Sequence, residues 1–115
     1  RLFEPGPNDE QIELILSAAA AAPDHGLIRP WRFIICTPSS RENLADAFAK
    51  SLIARDSSVT PEQISDAKNK AHRAPLLLLG VINVRGLGVE IPISERYISA
   101  GCAIQNILLI PNLVN

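Results

Sequence analysis

Residues 18–36 read AAAAAPDHGLIRPWRFIIC: five alanines, a Pro-Asp-His-Gly turn, a Pro-Trp pair, and an aromatic and β-branched run. The alanines end a helix. Asn8 and Gln11 stand at capping-box spacing, and Ile12, Ile15, Leu16 and Ala19 follow at helical spacing, which predicts a first helix over about 9–22, stopped by Pro23. Residues 31–36, WRFIIC, predict a strand closed by Pro38. A last helical turn without bulky side chains leaves room for a planar aromatic ligand, and backbone groups past Pro23 are open to other partners. Asp24 and His25 then set an acceptor and a donor at the rim of that wall, Gly26 turns the chain away, and Pro30 fixes an extended approach. The same residues fit a plainer role, in which the alanines pack on a sheet, His25 is a solvated turn residue and Trp31 is core. On the residues alone both stay open.

Outward from this stretch the elements alternate. Ser39 and Glu42 form a second capping box, opening a helix with Leu44, Ala45, Phe48 and Leu52 on one apolar face. Thr60, Pro61 and Gln63 open a third helix, expected to end near Arg73 because Pro75 disfavours helical geometry at Ala74. Residues 76–84, LLLLGVINV, are a continuous apolar run of strand length, as expected of a central strand covered on both faces. Gly86 and Gly88 mark a loop, and a last helix is predicted from about Ser94 to Ile110, closed by Pro111. Its Ser99–Ala103 segment, SAGCA, is all small and lets a backbone or flat ligand approach closely.

The bulk composition narrows the function classes. At 115 residues and 47% hydrophobic, the chain suits one compact domain over residues 1–115 with a small core. Eleven Lys and Arg against twelve Asp and Glu give a formal charge of −1, without the basic stripe that nucleic-acid binding needs. No apolar run approaches the roughly 18 residues of a membrane span, and no signal pattern opens the chain. A soluble, intracellular protein is expected. The glycines of VRGLGVEI place Ile91 where a dinucleotide fingerprint wants its third glycine, which argues against that motif. His25 and His72 lie far apart without ligand-like neighbours, so no metal site is expected. Cys36 and Cys102 fit no metal or redox spacing and are expected as buried thiols.

Four segments together carry a resemblance. The alanine-rich helix with APDH at Ala22–His25 and PWRF at Pro30–Phe33 is similar to the signature of the FMN-dependent nitroreductase family, in its short bacterial NAD(P)H nitroreductase branch. RAPLLLLGVINV at residues 73–84 resembles that family's central strand, and ISAGCAIQNILL at 98–109 its long core helix. Arg1 to Pro5 resembles the end of its amino-terminal motif. The resemblance implies an α+β, three-layer fold with a central mixed sheet flanked by helices. The family's other phosphate-binding segments are not in this sequence, so the chain is expected to be incomplete. The resemblance further implies a cytoplasmic homodimer that passes hydride from NAD(P)H through bound FMN to a nitro-aromatic, quinone or similar acceptor. Carried over by position, Ala21, Pro23, Asp24 and His25 line the cofactor. No side chain is implied as a catalytic acid or base. The alternative is a non-catalytic α/β interaction domain that has lost the cofactor.

Overall fold

The computed structural model describes residues 3–86, 88 and 90–113, with the backbone alone for 111–113. Arg1 and Leu2 of the amino-terminal motif and Leu87 and Val89 of the glycine loop lie outside the described residues.

Helix α1, Asp9–Ala20, starts where expected: Asn8 Oδ1 accepts the Gln11 amide at 2.9 Å and Gln11 Oε1 accepts the Asn8 amide at 3.0 Å. It ends two residues before the expected Ala22. The backbone at Ala21 has already left helical geometry, at φ −83° and ψ 0°, because Pro23 restricts the residue before it and the last turn loosens in advance. Strand β1, Trp31–Ile35, is followed by α2, Pro38–Arg55. The cap of α2 is Thr37, whose Oγ1 accepts the Ser40 amide at 3.3 Å, and not the expected Ser39. Pro38 takes the first helical position, where its missing N–H costs nothing, so it opens a helix and does not merely close a strand. Helix α3, Pro61–Asn69, carries the Thr60–Gln63 capping box and tightens into a 3-10 turn over Lys70–His72. Strand β2, Leu78–Ile82, and helix α4, Ile93–Leu113, complete the order. Helix α4 runs past Pro111 and does not stop there.

The strands form a two-stranded sheet. Cys36 N donates to Leu77 O at 2.9 Å, and Asn83 N donates to Pro30 O at 2.6 Å, which fixes an antiparallel register. The α+β class is therefore as expected. The doubly covered strand over 76–84 is not what forms: β2 is shorter, and Leu79 is 46% exposed. A continuous apolar run states that both faces need cover, but what supplies the cover is a tertiary matter.

The chain divides into two compact units, the division falling inside both strands. The first comprises Ile35–Leu79 and the amino-terminal residues through Gly6. There α2 packs on α3, with Ala45, Ala49, Ala67 and Ala71 buried. The Arg41 guanidinium donates to Ala74 O and Pro75 O, both at 2.5 Å, tying α2 to the chain entering β2. Lys68 Nζ donates to Asp46 Oδ1 at 2.8 Å, and that hydrogen bond holds the Asp46 carboxyl below its ordinary range. The contribution of this exposed pair is present at neutral pH and fades as acid protonates Asp46.

The second unit comprises Pro7–Ile34 and the chain from Gly80 onward. Its centre is the contact of α1 with α4, where Ala19, Ala22 and Ala103 are buried together under Trp31, Phe33, Cys102 and Ile107. Asn106 Nδ2 donates to Ala18 O at 2.9 Å, serving a carbonyl of the last turn of α1. Cys36 is buried as expected, whereas Cys102 is only half-buried at the edge of the Ala19, Ala22 and Ala103 cluster.

Ala103 is fully buried against alanines, so Ala103→Leu is expected to overpack the helix contact and cost about 1–3 kcal/mol. Urea unfolding followed by circular dichroism reads this as a lowered midpoint at unchanged slope.

Candidate functional site

The end of α1 and the turn after it form the candidate site. Ala21 closes the helix as its C-cap and is exposed, whereas Ala22 is only 8% exposed and belongs to the core. The alanine segment is divided between core and surface: Ala19 and Ala22 pack, and Ala20 and Ala21 face out. Packing is on α4, not on the sheet alone. Pro23 is exposed, and Asp24 is extended at φ −149° and ψ 110°.

Asp24 organises the turn. Its Oδ2 accepts the Arg29 amide at 2.5 Å, and its carbonyl accepts the Leu27 amide at 3.1 Å, closing a 3-10 turn over His25–Leu27. Its other oxygen, Oδ1, is buried with no hydrogen-bond partner among the described residues. An unmet buried acceptor costs about 1–3 kcal/mol, a debt that a donor from a ligand would remove. Within the turn Gly26, Leu27 and Arg29 all lie in the left-handed region, at φ 73°, 51° and 44°. For the two non-glycine residues that conformation costs on the order of 1–3 kcal/mol each, so the packing around the turn has to hold it.

That packing comes from the loop before α4. An added Cβ at Gly26 would lie 3.4 Å from the side chain of Ile91, and one at Gly88 would lie 2.6 Å from Ile28 Cγ2. The two left-handed glycines therefore let Ile28 and Ile91 interlock, and Ile91 is 6% exposed. Arg96, 3% exposed, donates Nη2 to Gly88 O at 2.6 Å, Nε to Ile91 O at 3.3 Å and Nη1 to Asn83 O at 3.3 Å. His25 Nδ1 pairs with Glu95 Oε2 from the first turn of α4. Pro30 is buried, and Trp31 packs on the Ala19, Ala22 and Ala103 cluster, anchoring the start of β1.

The expected residues Ala21, Pro23, Asp24 and His25 thus lie in sequence along one turn, but Glu95, Arg96, Ile91 and Gly88 were not expected there. Glu95 is 70 positions from His25, and nothing local marks it as a partner. In the sequence Ile91 only breaks a glycine fingerprint, and its burial gives it a packing role instead. Among the described residues no three of His, Cys, Asp and Glu are grouped as metal ligands, and no helix is long and apolar enough to cross a membrane. In chemical terms the turn offers a small exposed wall, one unmet acceptor and one imidazole edge, which suits binding and orientation.

Residues 3–110 match the model of the Nitroreductase family. The chain belongs to that family. Among its members, a protein of Haemophilus influenzae named "Putative NAD(P)H nitroreductase" is 35% identical over 109 residues, 95% of this chain and 58% of its own. "Putative NAD(P)H nitroreductase YdjA" of Escherichia coli is 36% identical over 105 residues, 91% of this chain and 56% of its own. "Putative NAD(P)H nitroreductase YfhC" of Bacillus subtilis is 33% identical over 79 residues, 68% of this chain and 40% of its own. The chain spans little more than half the length of the first two relatives. Family membership agrees with the resemblance carried by the APDH and PWRF motifs.

Gly88 is left-handed at φ +66° and without space for a Cβ, so Gly88→Ala is expected to destabilise the protein by roughly 1–3 kcal/mol and to release the 24–29 turn. Thermal unfolding reads the first effect, and faster amide exchange at Arg29, whose N–H is held by Asp24, reads the second.

Proposed function

We propose that the chain is part of a single nitroreductase-like domain of a cytoplasmic, homodimeric flavoenzyme. In this reading Ala21, Pro23, Asp24 and His25 line FMN, and hydride passes from NAD(P)H to a nitro-aromatic, quinone or similar acceptor. The observation that carries it is Asp24: a buried Oδ1 lacks a donor beside the exposed Ala21, in a chain whose residues 3–110 match the family. A flavin carries ring N–H and ribityl hydroxyl donors on a flat apolar body, which is the chemistry this turn is short of. When bound, FMN supplies the hydride and electron chemistry.

The protein's own residues do the rest. Ala21 keeps the wall low enough for a planar group, and Pro23 prevents the helix from continuing across it. Asp24 holds the turn through Oδ2 and the Arg29 amide, and its buried Oδ1 is the acceptor that lacks a donor among the described residues. His25 offers the edge of its ring that is turned from Glu95. Support for a homodimer comes from α4, which leaves Tyr97, Ile98 and Ile104 exposed around Gly101, where nothing lies within 4 Å of an added Cβ. Apolar side chains in such number on one helix mark an interaction surface.

The protein is expected to purify yellow or to turn yellow with added FMN. NADH or NADPH then bleaches the flavin band without oxygen, and a quinone or nitro-aromatic restores it. Because Ala21 is exposed, Ala21→Trp is accommodated by the fold and is expected to give a folded, colourless protein. His25→Ala is milder, at about 0.5–1.5 kcal/mol, or roughly tenfold in FMN affinity at most. No heat of FMN binding by calorimetry would overturn the proposal in favour of a non-catalytic interaction domain.

A further inference from the structure

His25 is 62% exposed in its side chain, yet its ring is not free to turn: Nδ1 pairs with the carboxylate of Glu95. The pairing fixes where the proton sits. A carboxylate only accepts, so Nδ1 carries the hydrogen, and Nε2 of the neutral ring is left as an acceptor. We propose that Glu95 is a positioning residue that sets the tautomer and orientation of His25, so that the ring presents Nε2 to whatever binds at the end of α1. Its effect on cofactor rests on the flavin reading of this turn; the assignment of the proton does not.

Three features make Glu95 suited to this role. It lies in the first turn of α4, where the positive end of the helix dipole favours a negative charge. Its neighbour Arg96 is buried and bonded to the carbonyls of Asn83, Gly88 and Ile91, so the backbone carrying Glu95 is held in place. The turn carrying His25 is seated on the same loop through Gly26 against Ile91 and Gly88 against Ile28. The His25–Glu95 pair is thus the polar point of a two-point attachment whose apolar point is the isoleucine interlock. Leu27 and Arg29 stay in their left-handed conformations between those points and the Asp24 bond. A ring fixed in this way loses little further freedom when a ligand binds.

The test is nitrogen NMR of the full chain with labelled histidine, with His72→Gln used to assign the two rings. Wild type is expected to show His25 with its proton on Nδ1 in the neutral form. Glu95→Gln keeps an acceptor oxygen and is expected to keep that tautomer, whereas Glu95→Ala is expected to move the proton to Nε2. Titration with FMN, read by flavin fluorescence, should weaken about three- to tenfold in Glu95→Ala, as one lost hydrogen bond allows. The Glu95→Ala, His25→Ala double variant should then lose no more than His25→Ala alone, because one residue acts through the other. A wild-type ring protonated on Nε2, or losses that multiply in the double variant, would overturn the inference. If Glu95→Ala does not fold, the wild-type and Glu95→Gln spectra decide the tautomer alone. If no variant binds FMN but the tautomer shifts as stated, Glu95 keeps its positioning role and the flavin reading falls.

Discussion

Contact between α1 and α4 through single methyl groups is the constraint on which the second unit depends. Ala19 and Ala22 of one segment meet Ala103 of the other, and no large side chain among the described residues is fully buried. Small side chains hold helices together by proximity and not by volume, since each buried methyl contributes only about 0.8 kcal/mol. Their value is geometric. They bring Asn106 within reach of Ala18 O and set the end of α1 alongside α4. The contacts run in opposite directions along the chain, from Asn106 with Ala18, through Ala103 with Ala22, to Glu95 with His25. An antiparallel pair of helices thus delivers the APDH turn to the first turn of α4.

From that placement the geometry of the turn follows. The turn after Pro23 is costly in backbone terms, with two non-glycine residues in the left-handed region and one buried oxygen unmet. It persists because Ile28, Ile91, Gly26 and Gly88 interlock and because Arg96 binds the surrounding carbonyls. Strain held by its surroundings in this way is common where a protein keeps a surface ready for a ligand. Ala20, Ala21 and Pro23 of the motif are exposed, while Ala19 and Ala22 are buried and hold the geometry.

Much of this was legible in the sequence, for local reasons. The Asn8–Gln11 and Thr60–Gln63 boxes form as read, since capping is a contact between residues three apart. The segments AAAAAPDH and PWRF pointed to the family that the comparison over residues 3–110 shows. Where local signals competed, the outcome differed. Thr37 and Ser39 both precede possible helix starts, and Thr37 won because Pro38 after it is already shaped for the first helical position. Pro111 signals a stop in the sequence, yet α4 continues to Leu113, since a proline near a helix end disfavours continuation without forbidding it.

What the sequence by itself determined is the set of elements and the family, because helix caps, strand composition and turn residues act over a few positions. What only the tertiary structure decided is how the alanine segment is divided between core and surface, and who stands opposite His25. Whether Ala21 or Ala22 faces outward depends on the rotation of α1 against α4, and five identical residues carry no pattern to read it from. The partner of His25 is 70 residues away, and one glutamate among the chain's acidic residues is indistinguishable from another until the helices are packed. Likewise LLLLGVINV announced a need for cover on two faces, but pairing with β1 alone among the described residues, and the exposure of Leu79, were settled by which strands the fold brings alongside. Burial and long-range pairing are properties of the assembled chain, and a linear pattern records the demand for them without recording how it is met.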